Sequence, residues 1–242
     1  MRTAAVPWWV ATADLLLGAD CAGCGTPWWG ACRECRTHVT SEPTRLTRPT
    51  PAPVGFPLTA TAGPYDEVFS GLIHAHKEEQ ALMLTPLLGD RLAAAALELL
   101  HAVAVDPGST ILVPVPSSAA AVRDRGFDST AALARRAARR LRVAGRPARV
   151  SSLLAQRRGL ADQALLDAGS RAANLRGGLR LRRPAGLLGV DAAAPVVVVD
   201  DVVTTGASLT EAVQTLCDGG FDVLGAATVS ATVRRRSAGS SD

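Results

Sequence analysis

Aromatic residues make up only 4% of the 242 positions, with a single tyrosine, Tyr65, so large rings cannot supply most of a core. Alanine, leucine and valine must do so in a chain that is 48% apolar, and 20% charged residues is unlike a disordered, solvating composition. Lysine is nearly missing: Lys77 stands alone among 26 basic residues, and the other 25 are arginines. No stretch reaches ~18 consecutive apolar residues without a charge or a breaker. Even the Ala/Leu-rich region around 81–105 carries Asp90, Arg91, Glu98 and His101, so no membrane insertion is expected. Three nucleotide and hydrolase signatures are missing: G-x-G-x-x-G after a strand, G-x-x-x-x-G-K-[ST], and G-x-S-x-G. Cysteine is scarce outside one cluster, with only Cys217 beyond Cys35, which excludes a disulfide framework spread through the chain. The N-terminus mimics a signal peptide, but Asp14 interrupts its apolar run and Asp20 takes the place of a small residue before Cys21, so a cytoplasmic protein is expected.

The length corresponds to about one and a half domains of ~150 residues, room for one sizeable α/β core and a small appendage. The chain divides into an N-terminal segment with a cysteine module (1–40), a Pro/Thr-rich linker (41–55), a main domain (56–236) and a frayed tail (237–242). In the main domain the patterning predicts a short strand over 56–62, a helix over 65–75, and one or two helices over 82–103 broken near Pro86 or Gly89. A buried strand follows at 111–113, then a helix over 129–141 and a short strand over 150–154. Residues 155–180 form a polar, Arg-rich segment of no definite pattern. Four consecutive valines at 196–199 mark a strand buried on both faces, as in a parallel sheet. A helix over 209–217 and a strand over 223–229 complete an open α/β domain with a mostly parallel sheet.

Cys21, Cys24, Cys32 and Cys35 form C-x2-C-x7-C-x2-C, two knuckles that each set paired thiolates on a tight turn. Tetrahedral Zn²⁺ with four sulfur ligands is the natural occupant, and a closed Cys₄ shell leaves no site for a reactive water, so the zinc would be structural. A redox or iron–sulfur use of the four thiols is the alternative. His38 then reads as a surface histidine, and Trp28 and Trp29 either pack a mini-core resembling a zinc ribbon or present a stacking face. Trp8 and Trp9 read as anchors of the N-terminal segment.

Residues 196–208, VVVVDDVVTTGAS, are the most informative. A hydrophobic strand delivers Asp200 and Asp201 at its carboxyl end, where ligands bind in open α/β sheets. Thr204, Thr205, Gly206, Ala207 and Ser208 form a turn of small and hydroxylated residues running into a helix. Backbone N–H groups, hydroxyls and the helix dipole converge there on a phosphate monoester, and Gly206 lets the backbone come close. The carboxylates a few residues earlier suit vicinal ribose hydroxyls or a phosphate-bound Mg²⁺. Together they describe a site for a 5-phosphorylated ribose.

This stretch resembles the phosphoribosyl-pyrophosphate motif of type I phosphoribosyltransferases, and the wider chain is similar to the ComF family of competence-associated, phosphoribosyltransferase-like proteins. The Cys₄ module, LIHAHKE at 72–78, ILVPVPSSAAAVRDRGFDST at 111–130 and QRRGLADQALLDAGSRAANLRG at 156–177 carry that narrower resemblance. It implies a type I phosphoribosyltransferase fold with Asp200 and Asp201 as ribose-binding acids and Thr204–Ser208 as the 5-phosphate loop. It further implies that Pro114–Ser117, with Val115 and Pro116 between them, receive pyrophosphate with Arg123 and Arg125 nearby. Lys77 would be the lysine following the first helix, and Gln163, Arg171 and Asn174 would lie on a flexible segment over the site, where Arg157 is a further ligand candidate. Where the family commonly reads RGFNQ, this chain has Asp128-Ser129 after Gly126-Phe127.

Between Arg123 and Arg183 sixteen arginines face four acids, in a chain whose net charge is +4. Such a concentration can focus a field on a pyrophosphate-bearing substrate or form a groove for single-stranded nucleic acid, while a plain solvated helix face explains Arg135, Arg136, Arg139 and Arg140. Cys217 reads as a small buried hydrophobe, and His74 and His76, two apart, do not share a helix face. Three functions follow as expectations: an enzyme handling phosphoribosyl pyrophosphate with Mg²⁺ and an unspecified acceptor, a DNA-uptake factor contacting single-stranded DNA or a helicase partner, or a non-catalytic sensor of phosphoribosyl pyrophosphate.

Overall fold

The computed structural model describes residues 20–104, 108–157, 178–182 and 194–232. Arg33–Ser41 form α1 and Arg45–Thr47 β1; Thr59–Thr61 form β2, Glu67–Glu78 α2, and Thr85–Ala102 α3 after a single 3₁₀ turn at Leu82–Leu84. Thr110–Pro114 form β3, Ala119–Arg125 α4, Ser129–Val143 α5 and Ala148–Val150 β4. Leu154–Gln156 (β5) and Leu179–Leu181 (β6) pair antiparallel by themselves, and Val196–Val203 (β7), Ala207–Asp218 (α6) and Val223–Ala231 (β8) close the described chain.

Six strands form one sheet in the order β1-β2-β8-β7-β3-β4, and every neighbouring pair is parallel except β1–β2. From β3 the chain moves outward to β4, whereas from β7 it moves the opposite way to β8. The order therefore reverses between β3 and β7, and a crevice opens beyond the carboxyl ends of those two strands. Val197 and Val199 on one face of β7 join a core with α2, α3 and α5. Val196 and Val198 on the other face pack with Leu209, Ala212 and Leu216 of α6 and with Leu154 and Leu179 of the β5–β6 pair. The quadruple-valine run is thus buried on both faces, as its sequence predicts. The core is alanine, leucine and valine, with Phe56, Phe69 and Phe221 its only buried aromatics among the described residues.

Several elements depart from their sequence patterns. The predicted break in the 82–103 helix falls before Thr85; Pro86 occupies the first turn, where its missing N–H is harmless, and Gly89 lies inside a continuous helix. A Cβ at Gly89 would meet Arg136 Cγ at 2.5 Å, so the glycine serves close α3–α5 packing, locked by Arg136 Nε and Nη2 donating to Asp90 at 2.6 and 2.8 Å. The predicted 150–154 strand is two strands in two sheets, because the chain turns away from the main sheet after Val150 and buries Leu153. The stretch read as a linker contributes β1, and Arg91 donates to the carbonyls of Glu42 and Ala62 across it. Cys217 is exposed, not buried: it sits on the outer side of α6, whose buried positions are Leu209, Ala212 and Leu216.

Candidate functional site

A cleft of about 540 Å³ occupies the crevice beyond β3 and β7, and the segments on its rim are those that the sequence pattern singles out. Val115, Pro116 and Ser117 follow β3 on one side; Asp200, Asp201, Thr204 and Ser208 lie on the other, and Lys77 and Arg125 reach in from α2 and α4.

The strand carrying the acids runs further than the four valines suggest, to Val203, so Asp200 and Asp201 are successive strand residues whose side chains leave opposite faces. Their carboxylates fold back on the backbone: Asp201 N–H donates to Asp200 Oδ1 at 2.9 Å, and Val202 N–H to Asp201 Oδ1 at 2.8 Å. Asp201 is 5% exposed and its Oδ2 lies 2.8 Å from Lys77 Nζ. Burial works against the Lys77 ammonium, but Asp201, and behind it Asp200, outweigh that and hold its pKa above the ordinary lysine value. Burial first, and the Asp201 charge second, push Asp200 well above the usual aspartate range. One carboxylate is thus committed to a cation while its neighbour favours its protonated form.

Gly206 caps α6 at φ +80°, a backbone conformation that strains any residue with a Cβ. It is also buried: a Cβ there would meet Phe56 Cε2 at 2.5 Å and Pro49 Cγ at 3.1 Å. The close approach that requires glycine is therefore made by the 49–56 segment, while Thr204 and Ser208 line the cleft. Thr205 Oγ1 accepts from Ala207 N–H at 3.4 Å, and the next first-turn amides have no partner within the helix. Arg125 pairs with Glu78 through Nε at 3.0 Å, and its buried Nη1 has no hydrogen-bond partner among the described residues. The Asp128-Ser129 departure has a local cause. Asp128 Oδ1 accepts from Ala131 N–H at 3.0 Å and so caps α5, whose first residue, Ser129, is buried.

Other expected residues lie elsewhere. Arg123 is exposed on α4 and does not line the cleft; Arg157 is exposed just after β5, where its N–H donates to Gly178 O at 2.7 Å and its Nε to Leu179 O at 3.3 Å. Thr205 is exposed, and neither it nor Ala207 lines the cleft. Gln163, Arg171, Asn174, Trp8 and Trp9 fall outside the described residues. Tyr65, His74, Glu78 and Thr130, to which the sequence reading assigns no ligand-binding role, also border the cleft. Only the helical register of α2, which puts His74 and Glu78 four apart on one face, could have pointed to two of them.

The Sγ atoms of Cys21, Cys24, Cys32 and Cys35 lie within 4.8 Å of one another, and these four could hold a metal ion such as zinc. Cys24 Sγ and Cys32 Sγ are 3.7 Å apart, close to the ~3.8 Å edge of a tetrahedron with ~2.3 Å Zn–S bonds. Thr26 hydrogen bonds, side chain first, lower the Cys24 thiol to about 7, toward the thiolate that a metal needs. The second knuckle is not a ribbon hairpin: Cys32 is the N-cap of α1 and Cys35 lies in its first turn. Trp28 packs on the cluster while Trp29 is 60% exposed. No protein-family model matches the chain, and no curated protein matches it either. Among the described residues no helix is long and apolar enough to cross a membrane.

Proposed function

We propose that this chain is a phosphoribosyltransferase-like protein of the ComF kind that binds 5-phosphoribosyl 1-pyrophosphate with Mg²⁺ in the β3–β7 cleft. One observation carries this proposal: two acids, a lysine, and the hydroxyl-lined start of a twelve-residue helix share one crevice at the reversal of strand order. The 5-phosphate sits at the α6 N-terminus on the first-turn amides and the Thr204 and Ser208 hydroxyls. Asp200 and Asp201 take the ribose hydroxyls, and the Pro114–Ser117 turn with Arg125 takes the pyrophosphate and the Mg²⁺ that accompanies it. If phosphoribose is transferred to an acceptor, the C1–O bond breaks and its electron pair leaves with pyrophosphate while the acceptor bonds to C1 and gives up the proton it carried to solvent; this chain contributes position and charge. The four cysteines hold a structural zinc, and metal analysis is expected to give one zinc per chain.

The direct test is calorimetric titration with phosphoribosyl pyrophosphate and Mg²⁺, followed by release of pyrophosphate across a panel of nucleobases and amines. Binding is expected, and Asp200→Asn with Asp201→Asn is expected to abolish it. Binding without release would make the chain a sensor, and no heat would remove the proposal. A DNA-uptake factor is the second possibility, favoured by Arg135 and Arg139, exposed on α5 with no ion pair among the described residues. Single-stranded DNA affinity would then fall steeply with salt and survive loss of the acid pair.

A further inference from the structure

The cysteine module is packed against the helix that supplies Lys77. Val68 of α2 packs on the cysteine cluster, and a Cβ at Gly23 would meet Cys35 Sγ at 2.8 Å and Val68 Cγ1 at 3.1 Å. One turn on, Gly71 of α2 lies so close to the first knuckle that a Cβ would overlap the carbonyl oxygen of Ala22, which is backbone and cannot swing aside. A third contact joins the helices. His38 Nε2, on α1 just after the second knuckle, lies 2.7 Å from Asp66 Oδ2, and the same carboxylate caps α2 by accepting from Phe69 N–H through Oδ1 at 2.9 Å. The imidazole also meets the buried Phe69 ring edge-on, with centroids 6.2 Å apart. The N-terminal half of α2 is therefore held by the module at Asp66, Val68 and Gly71, while its C-terminal turn places Lys77 2.8 Å from Asp201.

A helix is a stiff rod, so a displacement at one end is carried to the other, here over about 16 Å at 1.5 Å per residue. A zinc module used only as an independent fold would have no need of a glycine pressed against its backbone or of a histidine on the N-cap of its neighbour. We infer that the cysteine module is a positioning device for the cleft: through Ala22–Gly23 and His38 it fixes α2, and α2 in turn sets Lys77 against Asp201. His38 and Gly71 are positioning residues that touch no ligand. The coupling holds whether or not a sugar phosphate binds.

Because Lys77 is the only lysine, its acetylation by acetic anhydride, followed on the peptide that contains it, reports this one ion pair. The full metal-loaded chain, its metal-depleted form, His38→Ala and His38→Gln are compared, with amide hydrogen exchange measured alongside. His38→Ala leaves all four thiolates in place, and His38→Gln keeps an N–H donor toward Asp66. Alanine is expected to raise the Lys77 acetylation rate about fivefold, the scale of one lost partly exposed ion pair. Exchange is expected to rise in α2 while β7 and α3 stay protected, with glutamine restoring most of both and metal removal reproducing the alanine pattern. Unchanged acetylation and α2 exchange in His38→Ala would overturn the inference. So would exchange rising everywhere at once on metal removal or in His38→Ala, since the module would then serve general stability.

Discussion

Asp200 bears most directly on how stability and binding trade against each other at single residues. Its folded-state pKa is raised by burial and by Asp201, so above the ordinary aspartate value the native protein holds that proton more tightly than the unfolded chain does. The stability contributed by that protonated form is present below the unfolded pKa and lost as pH rises through the folded one. Asparagine is close in shape and carries no charge to bury. Asp200→Asn is therefore expected to raise the thermal midpoint at pH 7.5 by about 2–4 °C, the shift that roughly 1 kcal/mol makes in a chain of this size. The same variant should lose phosphoribosyl pyrophosphate binding. Parallel melting curves and titrations check both, and a lower midpoint would mean that the carboxylate is held by partners that stabilise its charge.

At the level of elements, the joint between β7 and α6 depends on Gly206. Alanine there takes φ +80° and collides with Phe56, and the two effects together are expected to destabilise by about 2–4 kcal/mol. Urea denaturation should show a lower midpoint with an unchanged slope, and an unaltered midpoint would contradict the packing described. The glycine is legible in the sequence, but its reason is not. TTGAS announces a turn before a helix, whereas the neighbour that forbids a Cβ comes from Phe56, 150 positions earlier. The same limit governs the fold. Long apolar runs and clear caps identify β3, β7, β8, α5 and α6, because local pattern dictates them. Three-residue strands such as β1 and β4 carry too few residues to show a period and exist through their sheet neighbours. Gly89 misleads for a related reason, since a helix glycine can mark a break or a close contact and only the facing Arg136 decides. In the site, Asp200, Asp201, Thr204, Ser208 and the 115–117 turn are legible because each lies at the end of a recognisable strand. Glu78, which engages Arg125, is an ordinary helix acid in sequence and becomes part of the cleft only when α2 and α4 meet.

For the molecule as a whole, acid stability converges on His76. The residue is 1% exposed and spans three parts of the chain: it lies on α2, its Nε2 is 3.0 Å from Thr85 Oγ1 at the start of α3, and its ring meets Phe127 before α5 edge-on. Burial lowers its pKa below the usual 6.5, against an opposing pull from Asp201. Below pH 6.5 the unfolded chain therefore takes up a proton that the folded protein resists, and stability falls as pH falls toward the depressed folded value. One such group can change stability by at most about 1.4 kcal/mol per pH unit, so His76 contributes a downward slope of the thermal midpoint between pH 7 and 5.5, against the opposite slope from Asp200. His76→Gln, which keeps a polar partner for Thr85 and does not titrate, should remove that contribution, so that its midpoint falls less than the wild type's, or rises more, on acidification, at some cost in the midpoint at pH 7. If His76→Gln loses as much of its midpoint on acidification as the wild type, the three-way junction is not a source of the acid sensitivity.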